Sequence, residues 1–220
     1  MSAPVAVVRA SPLARLERRL AKLGREARAC RLCASELPHE PRPTFRVDTA
    51  APILVTGQAP GRRVHETGLP WNDASGDRLR EWLGVDRAAF YDTSRFAILP
   101  IGLCWPGTVR GKGDLPPIAR CAPQWQPRFH ELLAPQLRLH LLVGSYATAW
   151  YLPDSRRRAH GEVVAEFRAH LARGVVPLPH PSPRNRRWLR DRPWFDRDLV
   201  PELRESVARA LRAGAKRLEP

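Results

Sequence analysis

The chain has 220 residues, and 37 Lys and Arg against 22 Asp and Glu give it a formal charge of +15. This length favours one domain, and a hydrophobic content of 43% with seven Trp predicts a packed core rather than a disordered chain. No apolar run approaches the roughly 20 residues that a membrane-spanning helix needs, and the first residues lack the continuous apolar segment of a signal peptide. We therefore expect a soluble, cytoplasmic, monomeric protein without a membrane partner.

The positive charge is carried almost entirely by arginine, since Lys occurs only at positions 22, 112 and 216. A GC-rich genome produces such a bias, so codon usage is one source of the charge. Arginine nevertheless pairs with phosphate in bidentate geometry, and a large positive charge attracts polyanions whatever its origin. Nucleic acid is therefore favoured as the partner over a merely solubilising role for the charge.

Helices are predicted near both ends of the chain. Near the start, leucines recur at steps of three and four with Arg and Lys between them, which is the pattern of a helix with a basic outer face. This helix is expected over about 11–29, and PELRESVARALRAGAKRL predicts a second one over about 201–217. We find no internal repeat or long linker, so one domain over residues 1–220 is the simplest interpretation. The leucines are Leu13, Leu16, Leu20 and Leu23.

Four short apolar runs have the composition of buried strands. Segments with helical character separate them, and this alternation favours a parallel sheet covered on both faces. We therefore expect an α/β fold, a three-layer α/β/α sandwich around a four-stranded parallel sheet. Ligands of such sheets bind at the carboxyl ends of the strands, where this chain has GQAPG, the Cys104 loop and HPSPRN. The runs are PILVTG (52–57), FAILPI (96–101), LRLHLLVG (137–144) and GVVPLP (174–179).

The chain has only four cysteines, and two of them form a C-x2-C pair. Stable disulfides are disfavoured in a cytosolic protein, so this pair with two further Cys predicts a four-thiolate metal or iron–sulfur site. Zinc sites usually have two closely spaced pairs, whereas the second pair here is 17 residues apart, which favours iron–sulfur. Four unrelated thiols are the simpler alternative. The predicted ligands are Cys30, Cys33, Cys104 and Cys121.

The turn GQAPG (57–61) does not match the common nucleotide-binding loops. It lacks the Gly-Lys-Ser/Thr ending of a P-loop and the glycine spacing of a dinucleotide fingerprint. At a strand end, a Gly-x-x-Pro-Gly turn instead holds a rigid backbone whose amides point into a pocket. An ordinary strand-to-helix turn is the alternative if the motif is taken alone.

Three motifs and the four cysteines, in their order along the chain, resemble the uracil-DNA glycosylase superfamily. The motifs are GQAPG, GLPWNDASGD (68–77) and HPSPRN (180–185), and the resemblance runs from about Cys30 to Asn185. It is closest to the iron–sulfur branches found in thermophiles and other bacteria. The resemblance implies a DNA partner and a [4Fe–4S] cluster on the four cysteines, where the cluster braces loops near the DNA.

The resemblance also implies a site for a base flipped out of DNA. Trp71 occupies the place of the family's stacking aromatic residue, and a core Trp is the alternative. The Asn with which the family reads the uracil edge is absent from FAILPIGLC. Its substitute is the backbone of Ile101 and Gly102, or the side chain of Gln58 or Asn72, unless the substrate is not uracil. The predicted base-binding residues are Gln58, Ala59, Trp71 and Gly102.

Cleavage of an N-glycosidic bond develops positive charge on the sugar, so a carboxylate is expected on that side of the bond. One branch of the family has Glu directly after the first Gly of the first motif, where this chain has Gln58, which cannot act as a base. Another iron–sulfur branch has an Asp in a segment resembling WNDASGD, which makes Asp73 the catalytic candidate. The alternative role of Asp73 is to cap a helix that begins near Ser75.

His180 resembles the histidine with which the family stabilises the departing base, and it is the second predicted catalytic residue. A loop histidine packed between prolines is the alternative. The residues that follow are expected to press on the DNA backbone or the minor groove, although a solvated run of charge explains the arginines equally well. The predicted DNA-binding residues are Ser182, Arg184, Arg186 and Arg187.

These motifs predict a DNA repair glycosylase that flips and excises uracil or another deaminated base. The missing Glu and Asn motivate a second hypothesis, in which a DNA-binding or damage-sensing iron–sulfur protein keeps the fold with little or no glycosylase activity. A zinc-bound RNA-binding module is a third.

Overall fold

A computed structural model gives the structure of the protein for residues 11–109 and 113–215. Its strands are, in chain order, β1 (Ile53–Thr56), β2 (Phe96–Ile98), β3 (Thr108–Val109), β4 (Gly113–Asp114), β5 (Leu139–Val143) and β6 (Val175–Leu178). Four of them form a parallel sheet in the order β2-β1-β5-β6. Strands β3 and β4 pair in a separate antiparallel hairpin. The four predicted apolar runs are thus the four strands of the parallel sheet.

The sheet is buried on both faces. Ile53 of the central strand β1 lies opposite both Phe96 of the edge strand β2 and Leu139 of β5. Every residue of β1, β2 and β5 is buried, because helices cover both sides of the sheet. This explains why the strands are continuous apolar runs rather than alternating patterns.

Helices precede the sheet, connect its strands and follow it. They are α1 (Pro12–Arg28), α2 (Arg62–Thr67), α3 (Ala74–Leu83), α4 (Arg87–Tyr91), α5 (Cys121–Leu133), α6 (Ser145–Tyr151), α7 (His160–Ala165), α8 (Phe167–Leu171), α9 (Arg186–Arg190) and α10 (Val200–Ala215). Helix α1 occupies the predicted range of about 11–29. Residues 216 and 217 of the predicted last helix lie outside the described residues. Within the described chain, no helix combines the length and the apolar character needed to cross a membrane.

Two apolar cores lie on opposite faces of the sheet. On one face, Leu54 packs with Leu23 of α1 and Phe129 of α5. On the other face, Ile53 and Val55 pack with side chains of α3 and α10, among them Leu79, Leu203 and Val207. Adjacent residues of β1 therefore contribute to different cores, as the alternation of side chains along a strand requires. The expected α/β/α sandwich around a four-stranded parallel sheet is confirmed.

The carboxyl ends of the strands bring distant motifs together. Strand β1 leads into GQAPG, and the chain after β2 continues beside this turn, since Ile101 and Gly102 donate their amide N–H groups to the carbonyls of Gly57 and Gln58 at 2.9 Å each. Strand β6 leads into the His180 loop on the other side of β5. The edge of the sheet thus has one rigid turn and two flanking loops.

Candidate active site

A cavity of about 590 Å³ opens at this carboxyl edge. Its volume is typical of pockets that bind small molecules. Its wall includes the GQAPG turn, the segment before α3, the end of β2, the β3–β4 hairpin and the HPSPRN loop. The lining residues include Gly57, Gln58, Ala59, Trp71, Asp73, Asp114, His180, Ser182, Arg184 and Asn185.

The GQAPG turn forms one wall of the cavity. A side chain at Gly57 would meet the Trp71 ring, because a Cβ atom there would lie 2.8 Å from Cζ2 of the indole. The absence of a side chain at Gly57 therefore lets the aromatic ring lie directly against the end of β1. Gln58 and Ala59 also line the cavity, and the Gln58 side chain donates from Nε2 to the carbonyl of Leu115 at 3.2 Å.

Trp71 has a backbone conformation that is unfavourable for a bulky residue. Its φ is 56°, in the left-handed region, and it is the one non-glycine residue with positive φ in the described chain. Such a conformation costs on the order of 1–3 kcal/mol and persists only where neighbours enforce it. Here the buried guanidinium of Arg80 donates to the Trp71 carbonyl at 3.3 Å, and the ring, 9% exposed, lies against Gly57. The indole also lies 5.6 Å from the His180 ring, measured between centroids.

Asp73 lies in the cavity wall and at the start of α3. Its Oδ1 accepts the amide N–H of Gly76 at 2.9 Å, so Asp73 is the N-cap of this helix. The structure thus supports the capping alternative with a direct hydrogen bond, and the same residue still faces the cavity.

His180 is held as a neutral hydrogen-bond donor. Its Nδ1 accepts the amide N–H of Ser182 at 3.2 Å. Because a backbone N–H can only donate, the proton of the neutral ring is on Nε2. Burial lowers the pKa of His180 below its usual 6.5, although the charges of Asp73 and Asp114 oppose this shift. The ring is therefore neutral at neutral pH.

The predicted DNA-binding arginines lie in two different environments. Arg184 lines the cavity, and its guanidinium lies against the backbone of Gly113 in the β3–β4 hairpin, where a Cβ would overlap it. Arg186 and Arg187 are exposed on α9, and Arg187 lies 3.6 Å from Asp191. Ser182 accepts the amide N–H of Arg184 at 3.3 Å, which starts the short turn that carries this side chain.

Two sequence-based suggestions about base reading need correction. Gly102 lines the small cavity of the cysteines instead of the large one. Its amide, like that of Ile101, is already bonded to the GQAPG turn, so neither is available to a base. The side chain of Asn72 does not line the cavity, and its Oδ1 accepts a hydrogen bond from Arg87 at 2.9 Å. Of the two side chains considered for the missing Asn, Gln58 lines the cavity and Asn72 does not.

Two residues of the site were not among the sequence-based candidates. Asp114, at the end of β4, places a second carboxylate in the cavity wall. Asn185 donates from Nδ2 to the carbonyl of His180 at 2.7 Å and so closes the histidine loop. The sequence signal for Asp114 was that it is the single acidic residue in the Gly- and Pro-rich segment after β2. The pairing of β3 with β4, which places Asp114 in a hairpin, could not be predicted from the sequence.

The four cysteines line one small, mainly apolar cavity beside the candidate active site. Burial raises the pKa of Cys104 to about 11 and that of Cys121 to about 12, so both are neutral thiols unless a metal displaces the proton. Within the part of the chain that the structure describes, no three His, Cys, Asp or Glu side chains stand together as a site for one metal ion.

The family comparison covers both the sheet and this cavity. The family model of the uracil DNA glycosylase superfamily matches residues 45–204. This range begins before β1 and ends within α10, so it contains all four strands of the sheet and every lining segment described above. The match covers well over half of the chain, so the chain belongs to the uracil DNA glycosylase superfamily.

Proposed function

We propose that the protein is a DNA glycosylase that flips a damaged base, uracil or another deaminated base, into this cavity and excises it by hydrolysis. The observation that carries the proposal is the pairing of Trp71 with His180, whose ring centroids are 5.6 Å apart. Both residues line the cavity, so a planar base placed there would meet an aromatic ring and a neutral donor, which suits a base that leaves as an anion.

The residues act in sequence along the path of the nucleotide. Arg184, with Arg186 and Arg187 farther out, contacts backbone phosphates, and Ser182 supports this loop. The extruded base stacks on Trp71 beside the GQAPG turn. Gln58 supplies the side-chain amide that takes the role of the absent Asn.

The bond between C1′ of the sugar and the base nitrogen then breaks, and its electron pair leaves with the base. The Nε2–H of His180 donates a hydrogen bond to the base oxygen on which the negative charge develops. A carboxylate in the cavity stabilises the sugar cation and takes a proton from the attacking water. Asp73 is the carboxylate proposed from the sequence.

A panel of oligonucleotides tests this function. It contains uracil, hypoxanthine or xanthine at one position, in single and double strands, with the undamaged sequence as control. We expect alkali-labile abasic sites in at least one damaged substrate and in none of the undamaged ones. Failure to release any base under single-turnover conditions with excess protein would contradict the enzyme proposal.

The second candidate function is a damage sensor of the same fold. It is motivated by Gln58, which replaces the family's Glu and whose amide is hydrogen-bonded to Leu115. In the same panel, a sensor is recognised by tight binding to a damaged or abasic oligonucleotide without base release. An enzyme releases the base.

We further propose that the four cysteines hold a [4Fe–4S] cluster, as in the iron–sulfur branches that the sequence resembles. The donor set suits it, because each thiolate binds a different iron of such a cluster and the four sulfurs need not meet around one ion. The residues that would hold it are Cys30, Cys33, Cys104 and Cys121, which line one cavity. When bound, the cluster would tie the loop before β1 to the loop after β2.

Metal analysis of protein purified without oxygen tests the cluster. We expect about four iron ions and four acid-labile sulfides per chain, a broad visible absorption band, and their loss with a lower melting temperature in Cys33→Ser. Zinc without sulfide would support the zinc alternative, whose RNA-binding form is tested by titration with RNA. A folded protein that binds neither metal would reject both.

A further inference from the structure

Asp114 is held in the cavity wall by two hydrogen bonds to one of its oxygens. Oδ1 accepts from the indole Nε1 of Trp105 at 3.0 Å and from the hydroxyl of Thr108 at 2.7 Å. Thr108 lies opposite Asp114 in the β3–β4 pairing, and Trp105 belongs to the loop that leads into the hairpin. The carboxylate is therefore oriented by its own supersecondary structure rather than by a flexible side chain alone.

The second oxygen of Asp114 is directed to the active-site turn. Oδ2 lies 3.3 Å from the position that a Cβ would have at Gly61, the last residue of GQAPG. Among the hydrogen bonds and ion pairs within residues 11–109 and 113–215, none engages this oxygen. Asp73 also uses its Oδ1, but for the N-cap of α3, so its position is set by that helix rather than by the hairpin.

The position of Asp114 relative to Arg184 indicates which part of a nucleotide it faces. Arg184 lies against Gly113, the residue before Asp114. Trp71 is 9% exposed and packs near His180, whereas Asp114 is an exposed residue of the hairpin. In a flipped nucleotide, the base enters deepest, the phosphate stays at the mouth, and the sugar lies between them. A carboxylate next to a phosphate-binding arginine is therefore on the sugar side.

The negative charge of Asp114 also affects His180. It raises the pKa of His180, in opposition to burial and to Arg184. The charges that shift the pKa of this ring are thus those of two carboxylates, Asp73 and Asp114, and of the Arg184 guanidinium. An anion at the hairpin is electrostatically coupled to the residue that we assign to the leaving base.

We propose that Asp114 is a catalytic carboxylate of this protein, acting on the sugar, while Asp73 serves mainly as the cap of α3. This inference deepens and rests on the proposed function. As the C1′–N bond breaks and its electron pair leaves with the base, Asp114 stabilises the positive charge on the sugar. It then accepts one proton from the water that forms the new C1′–O bond, and that proton returns to the solvent while the base is protonated from water.

A binding experiment tests the electrostatic part independently of activity. Two oligonucleotides carry, at the target position, either a protonated pyrrolidine that mimics the sugar cation or the neutral tetrahydrofuran analogue. We expect the wild-type protein to bind the cationic analogue about tenfold more tightly. Asp114→Asn should lose this preference and Asp73→Asn should keep most of it, since Asn also caps helices. Asp154→Asn, an exposed change outside the cavity, controls for net charge.

Single-turnover kinetics on the best substrate of the panel test the chemical part. We expect Asp114→Asn to slow base release by about 10²–10⁴-fold, with near-normal affinity for the substrate. Wild-type-like rates in Asp114→Asn, or a charge preference that depends on Asp73 instead, would overturn the proposal. If no base is released but the preference depends on Asp114, the proposed function and the catalytic role fail, and only the placement of Asp114 on the sugar side stands. Absence of any preference in the wild type overturns the assignment.

Discussion

Replacement of His180 by alanine is expected to slow base release by about 10²–10³-fold, the usual effect of removing one donor to a developing anion. The structure gives the physical reason, since Nδ1 accepts the Ser182 amide and leaves the proton on Nε2 for the base. The single-turnover rate on the best substrate of the panel measures this loss. Affinity for the DNA should change much less, because the negative charge develops only during bond cleavage.

The matched control for this prediction is His180→Gln, which keeps an N–H donor near the position of Nε2. We expect it to recover part of the lost rate, whereas alanine recovers none. Equal rates in all three proteins would show that His180 is a packed loop residue, which is the alternative derived from the sequence.

The pH dependence follows from the direction of the pKa shift. Because burial lowers the pKa of His180 below 6.5, the native ring stays neutral as the pH falls through that value. In the unfolded chain the ring takes up a proton near 6.5, so acidification below this pH costs native stability until the native pKa is reached. The His180-dependent loss of rate should therefore begin only below about pH 6.5. A loss that begins above this pH and disappears in His180→Gln would contradict the assignment.

Substitution of Gly76 by alanine is expected to destabilise the protein by about 3 kcal/mol, the sum of overpacking and a weakened helix cap. A Cβ at Gly76 would overlap the backbone carbonyl of Trp71, which cannot move away like a flexible side chain. The strain would also separate the Gly76 amide from Asp73 and the Trp71 carbonyl from Arg80. Urea unfolding monitored by circular dichroism measures the change in the free energy of unfolding.

Gly24→Ala is the matched control, because Gly24 is also a buried helical glycine. Its Cβ would meet mainly the end of the flexible Arg28 side chain, at 3.1 Å. We expect this change to stabilise the protein by about 0.5–1 kcal/mol, as an alanine does within a helix. If the two variants unfold at the same urea concentration, the tight turn between Trp71 and α3 is not as rigid as the structure indicates.

The sequence was sufficient for the architecture because the parallel sheet is buried on both faces. Continuous apolar runs such as PILVTG are recognisable without any long-range information, and alternation with helical segments determines the fold class. The motifs GQAPG and HPSPRN also follow their strands in the sequence. The general rule for parallel sheets therefore predicted that these two motifs lie at one site, and the family resemblance added Trp71 to it.

Only the tertiary structure decided which atoms of these residues are available. Gly102 lies shortly after β2, but its amide N–H is already hydrogen-bonded to the carbonyl of Gln58 in the GQAPG turn. Asp73 has the right residue type, but one of its oxygens caps a helix. Asp114 carried no motif, and it reaches the cavity because a hairpin folds back from the loop after β2. The local sequence pattern indicates residue types and the order of the strands. The hydrogen-bond partners of a side chain, in contrast, come from segments far apart in the chain.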